Sequence, residues 1–154
     1  MALRVLVTGA NGFVGKQICQ TLQLKGWNVR AMVRSSKASD QIPTEMQRVV
    51  VDTAAADIDW QAALDQVDAV VHLIAKTHSR DHNSPKARES YHRTNVELTE
   101  SLLAACQKSN VRRFLYMSSI KAVGEGGGAE YTEDTRCAPG DIYGITKRIA
   151  EKAV

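Results

Sequence analysis

Tyr143 and Lys147 stand four residues apart in "GDIYGITKRIAEKAV", so a helix would place both on one face. A phenol has an ordinary pKa of about 10 and is a poor base at neutral pH. A fixed ammonium one helical turn away favours the phenolate, and the pair then suits proton transfer to or from a substrate hydroxyl. Taken alone the spacing is weak, since a tyrosine and a lysine also decorate ordinary amphipathic helices. A catalytic phenol further needs a hydroxyl opposite it. Ser118 and Ser119 in "LYMSSIKAVG" directly follow an apolar run, where the carboxyl ends of parallel strands open onto a ligand crevice; the alternative is that they only end a strand.

A second chemical pattern lies near the N-terminus. "VLVTGANGFVGKQI" spaces Gly9, Gly12 and Gly15 at three-residue intervals. Glycines so placed serve a tight turn, the approach of backbone to a pyrophosphate, and the packing of helix on strand. The helix start adds N–H groups and the positive end of a dipole. Three glycines also suit a turn that binds nothing, but their place after the first strand of a βαβ unit favours a dinucleotide. After the second strand, "AMVRSSK" supplies Arg34, two serines and Lys37, where an acidic residue would accept hydrogen bonds from a ribose 2′-hydroxyl. A guanidinium suits a 2′-phosphate, a lean toward NADP over NAD; a solvated cation stacked on adenine in either cofactor is the other reading. Asp52, beyond the third strand, suits the adenine amino group or the start of a turn.

The elements that must carry these groups alternate along the chain. Runs at Arg4–Thr8, Asn28–Val33, Arg48–Val51, Ala69–Ile74 and Arg113–Met117 read as strands. Between them, helices are expected at about Gly12–Lys25, ended by Gly26, around Trp60–Gln66, and at about Ala87–Ser109, with a last one bearing Tyr143 and Lys147. This alternation predicts an α/β fold, a Rossmann-like doubly wound parallel sheet in the order 3-2-1-4-5. The stretch "GEGGGAEYTEDTRCAPGD", with its tract Gly126–Gly128, predicts a loop.

With 154 residues, 44% of them apolar and 24% charged, the chain suits one soluble globular domain. The net charge is +3, with Lys and Arg scattered among Asp and Glu, which argues against a nucleic-acid partner. The most apolar stretch, Ala69–Ala75, is interrupted by His72 and falls far short of the roughly 20 residues that span a bilayer, so no membrane partner is expected. Cys19, Cys106 and Cys137 are odd in number and lack metal-like spacing. No metal is therefore expected, and reduced thiols suit a cytoplasmic protein.

The order of these motifs resembles the extended short-chain dehydrogenase/reductases, specifically the NAD(P)-dependent epimerase/dehydratase family. The matching stretches are "TGANGFVG", "VVHLIA", "YHRTNVELTESLL", "RRFLYMSSIKAVGE" and "YTEDTRCAPGDIYGITK", which together cover nearly the whole chain. They look most like the UDP-hexose branch, the UDP-glucose 4-epimerases and related 4-keto reductases. The resemblance implies that Tyr143 is the acid or base, that Lys147 lowers its pKa and binds the nicotinamide ribose, and that Ser119 orients the sugar hydroxyl, with Ser118 beside it nearer the cofactor. It implies a cofactor set of Gly9, Asn11, Gly12, Phe13, Val14, Gly15, Arg34, Asp52, Ala75 and Lys147. Asn95 falls where the family has a helix asparagine that supports the site, unless it lies on a solvent face. His72 suits a satisfied side chain near the cofactor cleft better than a catalytic group. Ala122-Val123-Gly124 stands where many epimerases have Val-Tyr-Gly, so one tyrosine contact is missing.

The implied activity is oxidation of a UDP-sugar at C4 by NAD or NADP and re-reduction of the 4-keto intermediate, with a homodimer formed through the helices bearing Asn95 and Tyr143. The alternatives are a UDP-4-keto-sugar reductase and a non-catalytic dinucleotide-binding module. Enzymes of this family are commonly about twice as long. The expectation is thus an NAD(P)-binding domain over residues 1–154, truncated before the last strands and the sugar-binding lobe and inactive by itself.

Overall fold

Strands buried on both faces of a parallel sheet need runs of apolar residues, and the first strands here have them. In the computed structural model, which describes residues 3–55, 57–77, 84–126 and 130–154, the chain forms two compact units. One comprises Met1–Ile74 with Ser101–Met117, the other Ala75–Glu100 with Ser118–Val154. Gly127 and Gly128 of the glycine tract lie outside the described residues.

The first unit holds β1 (Arg4–Thr8), α1 (Phe13–Leu24), β2 (Asn28–Val33), α2 (Ser36–Ser39), β3 (Gln47–Val50), α3 (Gln61–Leu64), β4 (Ala69–His72) and β5 (Arg113–Tyr116). The five strands are all parallel, in the order β3-β2-β1-β4-β5. This is the expected Rossmann-like order, and the direction of crossover reverses between β1 and β4, where such sheets open a crevice at their carboxyl ends. Register places Thr8 beside His72, and His72 beside Tyr116. Alternate residues of the strands share a core: Val5 and Val7, Val29, Ala31 and Val33 pack with Cys19, Ala38, Ile42 and Met46, with Ile18 and Leu22 of α1 against them. Leu6, Met32 and Val70 of the same strands are also fully buried.

The helix α1 stops where Gly26 adopts φ +77° and its N–H bonds the Gln23 carbonyl at 2.9 Å, a conformation glycine takes without a Cβ penalty. Arg30 breaks the apolar pattern of β2 and is nonetheless only 4% exposed. Its Nη1 donates to the carbonyls of Ala62, Ala63 and Asp65 at 2.8–3.1 Å and its Nε to Gln47 Oε1 at 3.1 Å, satisfying carbonyls at the end of α3.

The second unit holds α4 (Pro85–His92), a π-helical turn (Arg93–Glu97), the start of α5 (Leu98–Gln107), a 3₁₀ turn (Ile120–Ala122) and α6 (Ile142–Ala153). The sequence reads as one helix over Ala87–Ser109; the structure inserts the π turn, and Asn95 sits in it. The Thr99 hydroxyl donates to the Asn95 carbonyl at 2.9 Å, occupying an acceptor inside the widened turn. Ser84 caps α4, with Pro85 at its first position, and Asp141 caps α6, accepting from Gly144 N at 2.7 Å; both caps fill helix-start donors.

Candidate active site

In the first unit the glycine loop joins β1 to α1. Gly9 has φ +65°, and a Cβ there would lie 3.4 Å from both Cγ1 and N of Ile74. Gly12 N donates to the Gly9 carbonyl at 2.9 Å. A Cβ on Gly15 would stand 2.2 Å from the Gly9 carbonyl oxygen, so only glycine lets α1 approach the loop this closely. The helix begins without a side-chain cap and without an acidic residue in its first turn, and its first residue, Phe13, is 96% exposed. Among the described residues, no side chain caps its leading N–H groups, the condition an anion site needs.

At the end of β2, Arg34 is exposed and Ser35 caps α2 by accepting from Ala38 N at 3.3 Å. Asp52, just past β3, accepts from Ala54 N at 2.9 Å, which makes it the start of a turn. His72 is fully buried with its Nδ1 2.8 Å from the Thr8 hydroxyl, and that hydroxyl also accepts from Leu73 N at 3.1 Å. The histidine is therefore a satisfied core group that links the carboxyl ends of β1 and β4.

In the second unit Tyr143, Lys147 and Glu151 follow one another at four-residue steps on α6. Tyr143 is half-buried and Lys147 is 1% exposed. Burial lowers the Lys147 pKa from 10.5 to about 8, against the opposing pull of Glu151. An ammonium this far out of water persists only where the surroundings compensate it.

The placement of α6 is over-determined. A Cβ on Gly144 would lie 2.2 Å from the Lys121 carbonyl oxygen, so the helix start is pressed against the 3₁₀ turn. Lys121 Nζ reaches Asp141 Oδ2 at 2.6 Å and Glu125 Oε2 at 2.9 Å. The buried Asn95 accepts from Lys76 N at 2.7 Å and donates to the Lys76 carbonyl at 3.1 Å and to Thr146 Oγ1 at 3.0 Å. Thr146 in turn donates to the carbonyls of Ile142 and Tyr143. Asn95 thus ties the segment that begins at Ala75 to the turn of α6 that carries Tyr143. Tyr91 of α4 is fully buried, with Lys76 Nζ 5.6 Å from its ring centroid.

The serine pair divides its work. Ser119 caps the 3₁₀ turn, accepting from Lys121 N at 3.3 Å, and its own proton can still be donated to a substrate oxygen. The Ser118 hydroxyl donates to Glu151 Oε1, whose other oxygen accepts from Arg148 Nη1 at 2.8 Å. Glu151, Gly144, Asp141, Thr146 and Tyr91 were not singled out from the sequence. The caps were open to the pattern Asp-x-x-Gly, whereas the Ser118–Glu151 contact joins residues 33 apart and has no local signal. Among the described residues no cluster of His, Cys, Asp or Glu could hold a metal ion.

The family model described as NAD dependent epimerase/dehydratase matches residues 5–154. The chain belongs to this family. UDP-glucose 4-epimerase of Vibrio cholerae is 32% identical over 155 residues, covering 99% of this chain and 46% of that protein. A 3 beta-hydroxysteroid dehydrogenase/Delta 5-->4-isomerase of Mycobacterium tuberculosis is 36% identical over 161 residues, covering 98% of this chain and 42% of that protein. Among solved structures, UDP-glucuronic acid 4-epimerase of Bacillus cereus, in complex with UDP-glucuronic acid and NAD, matches at a TM-score of 0.82 and 27% identity, covering 98% of this chain and 51% of that one. The chain thus spans about half the length of these family members.

Proposed function

We propose that this chain is the cofactor-binding part of an NAD(P)-dependent nucleotide-sugar epimerase acting at C4 of UDP-glucose or a UDP-N-acetylhexosamine. The observation that carries the reading is Lys147, a lysine 1% exposed one turn from Tyr143 on a helix whose position is fixed from several sides. The lengths of the relatives support a domain over residues 1–154, with the sugar-binding lobe supplied by further sequence in the whole protein.

Gly9, Asn11, Gly12, Phe13, Val14 and Gly15 would hold the dinucleotide diphosphate, since the three glycines add no Cβ to the loop and α1 begins uncapped by a side chain. Arg34 and Asp52 would meet the adenosine, Ala75 the segment beyond it, and Lys147 the nicotinamide ribose. The bound nicotinamide supplies the acceptor, and later the donor, of the C4 hydride. Tyr143 takes the proton of the 4-hydroxyl as the 4-keto sugar forms, and returns it to the same oxygen when the other face is reduced. Ser119 donates to that oxygen, with Ser118 beside it, and Lys147 keeps a positive charge one turn from the phenolate.

Supplied with a ketone made elsewhere, the same groups constitute a UDP-4-keto-sugar reductase, and the 36% identity to a dehydrogenase favours this as the second reading. The exposed Arg34 leans toward NADP. Ile145 and Ile149, 38% and 39% exposed on α6, support a homodimer through the helices bearing Asn95 and Tyr143, and three free thiols support a cytoplasmic location.

The test is incubation of the whole protein, with the sequence that supplies the sugar-binding lobe, with UDP-glucose or UDP-N-acetylglucosamine and NAD⁺ or NADP⁺. The C4 epimer is the expected product. Reduced nicotinamide accumulating without epimer selects the reductase reading, and neither product with either cofactor refutes both.

A further inference from the structure

Ser119 and Tyr143 belong to separate elements of the second unit, the 3₁₀ turn and α6. Groups that act on one substrate oxygen need a fixed spacing, so something must hold those elements together. One residue, Lys121, reaches across that junction with its N–H, its carbonyl and its ammonium. The N–H donates to Ser119 Oγ at 3.3 Å. The carbonyl oxygen would stand 2.2 Å from a Cβ on Gly144, so the turn meets α6 backbone to backbone at the residue next to Tyr143. The ammonium lies 2.6 Å from Asp141 Oδ2 and 2.9 Å from Glu125 Oε2. Asp141 Oδ1 accepts from Gly144 N at 2.7 Å, and its carboxylate therefore joins the lysine to the first turn of the helix. The flanking segments are seated in the same way: Ala138 N donates to the Val123 carbonyl at 2.7 Å, and a Cβ on Gly140 would lie 2.7 Å from Glu125 Cγ.

We propose that Lys121 is a positioning residue of this site: it clamps the turn that carries Ser119 to the first turn of α6 and so sets the distance from Ser119 to Tyr143. The side chains of Lys121 and Asp141 are 42% and 39% exposed, and ion pairs this open to water add little to stability. What the bridge supplies is direction. With Oδ2 held by the lysine, the carboxylate that caps α6 keeps one orientation, and the contact at Gly144 leaves no room for the helix to come closer. Hydrogen bonds to Asp141 and Glu125 raise the Lys121 pKa above the ordinary lysine value, so the tether stays charged through the neutral range.

The catalytic meaning of this proposal rests on the function proposed above, and its test uses the whole protein, sugar-binding lobe included. Lys121→Met should lower kcat about tenfold, as a small misplacement of reacting groups does, while the KM for the UDP-sugar stays within about twofold. Asp141→Asn keeps an oxygen to cap α6 but gives up the charge, and should lose rate by the same factor. The double variant should be no slower than the slower single, because both break one link. Lys121→Arg, which retains the cation, should recover most of the rate. Hydrogen exchange reads the clamp without the reaction: the Gly144 amide should exchange faster in Lys121→Met than in wild type, with the Ala150 amide further along α6 unchanged.

A wild-type kcat in Lys121→Met overturns the proposal, and so do losses that multiply in the double variant. A raised KM at unchanged kcat, the mark of a lysine that binds substrate itself, overturns it too. So does a lowered Tm with Gly144 and Ala150 exchanging faster alike, the mark of a bond that only stabilises the fold. If Lys121→Met does not fold, the kcat and the Gly144 exchange of Asp141→Asn decide in its place. In a protein without epimerase or reductase activity, faster exchange confined to Gly144 supports the clamp and refutes the function on which its catalytic meaning rests; unchanged exchange overturns the clamp as well.

Discussion

Replacing Lys147 with methionine should stabilise the fold at neutral pH, and the gain should vanish as the pH rises. Lys147 is 1% exposed, and burial brings its pKa from 10.5 to about 8 in the folded protein. Below pH 8 the lysine is protonated in both folded and unfolded chains, and the folded state carries the full cost of a buried ammonium. Between 8 and 10.5 the unfolded chain binds more protons than the folded one, so stability rises with pH. At about 1.4 kcal/mol per pH unit the difference amounts to about 3 kcal/mol. The assay is urea unfolding of wild type and Lys147→Met at a series of pH values from 7 upward, the difference between them cancelling the titration of the shared side chains. Lys147→Met should be the more stable below pH 8, with the gap closing toward pH 10.5. A gap that is constant with pH, or that favours the lysine throughout, refutes the reasoning.

Asn95→Ala should destabilise by about 2–4 kcal/mol, because it leaves the Lys76 backbone groups and Thr146 without their buried partner; urea unfolding measures it, and a loss below about 1 kcal/mol contradicts the role assigned to that bond network. Gly15→Ala places a Cβ 2.2 Å from the Gly9 carbonyl oxygen, so it should cost about 1–3 kcal/mol from overpacking and weaken NAD⁺ binding by calorimetry. Affinity equal to wild type would remove the loop from the cofactor site. Cys19 and Cys106, both buried with thiols pushed up to about 11, should react slowly with a thiol reagent under native conditions, while the half-buried Cys137 reacts first. Equal rates at all three would contradict the burial.

The sheet was legible because its signals are local. Arg4–Thr8 and Asn28–Val33 appear in the structure with the boundaries their apolar runs predict, and Gly26 ends α1 as a residue tolerant of positive φ should. The turn and the close packing of α1 at the glycine loop were likewise legible, since Gly9 takes a positive φ and Gly15 leaves no room for a Cβ. What escaped was either short or distant. The four-residue α2 and the three-residue 3₁₀ turn cannot display a helical period. The π turn hides inside a continuous helical pattern, because widening it by one residue changes hydrogen bonds without changing composition. Arg30 reads as a flaw in an apolar strand until the carbonyls at the end of α3 are in place around it. The Ser118–Glu151 bond and the Asn95–Thr146 bond join residues 33 and 51 apart, and no spacing rule reaches that far.

The most direct test of the central claim follows the hydrogen at C4. UDP-glucose carrying deuterium at C4 is incubated with the whole protein, sugar-binding lobe included, and NAD(P)⁺, and the sugar product is read by NMR and mass. The account predicts UDP-galactose that retains the deuterium at C4, and no conversion by Tyr143→Phe. Conversion that proceeds at the wild-type rate in Tyr143→Phe, or a product whose C4 label has washed into solvent, would contradict it.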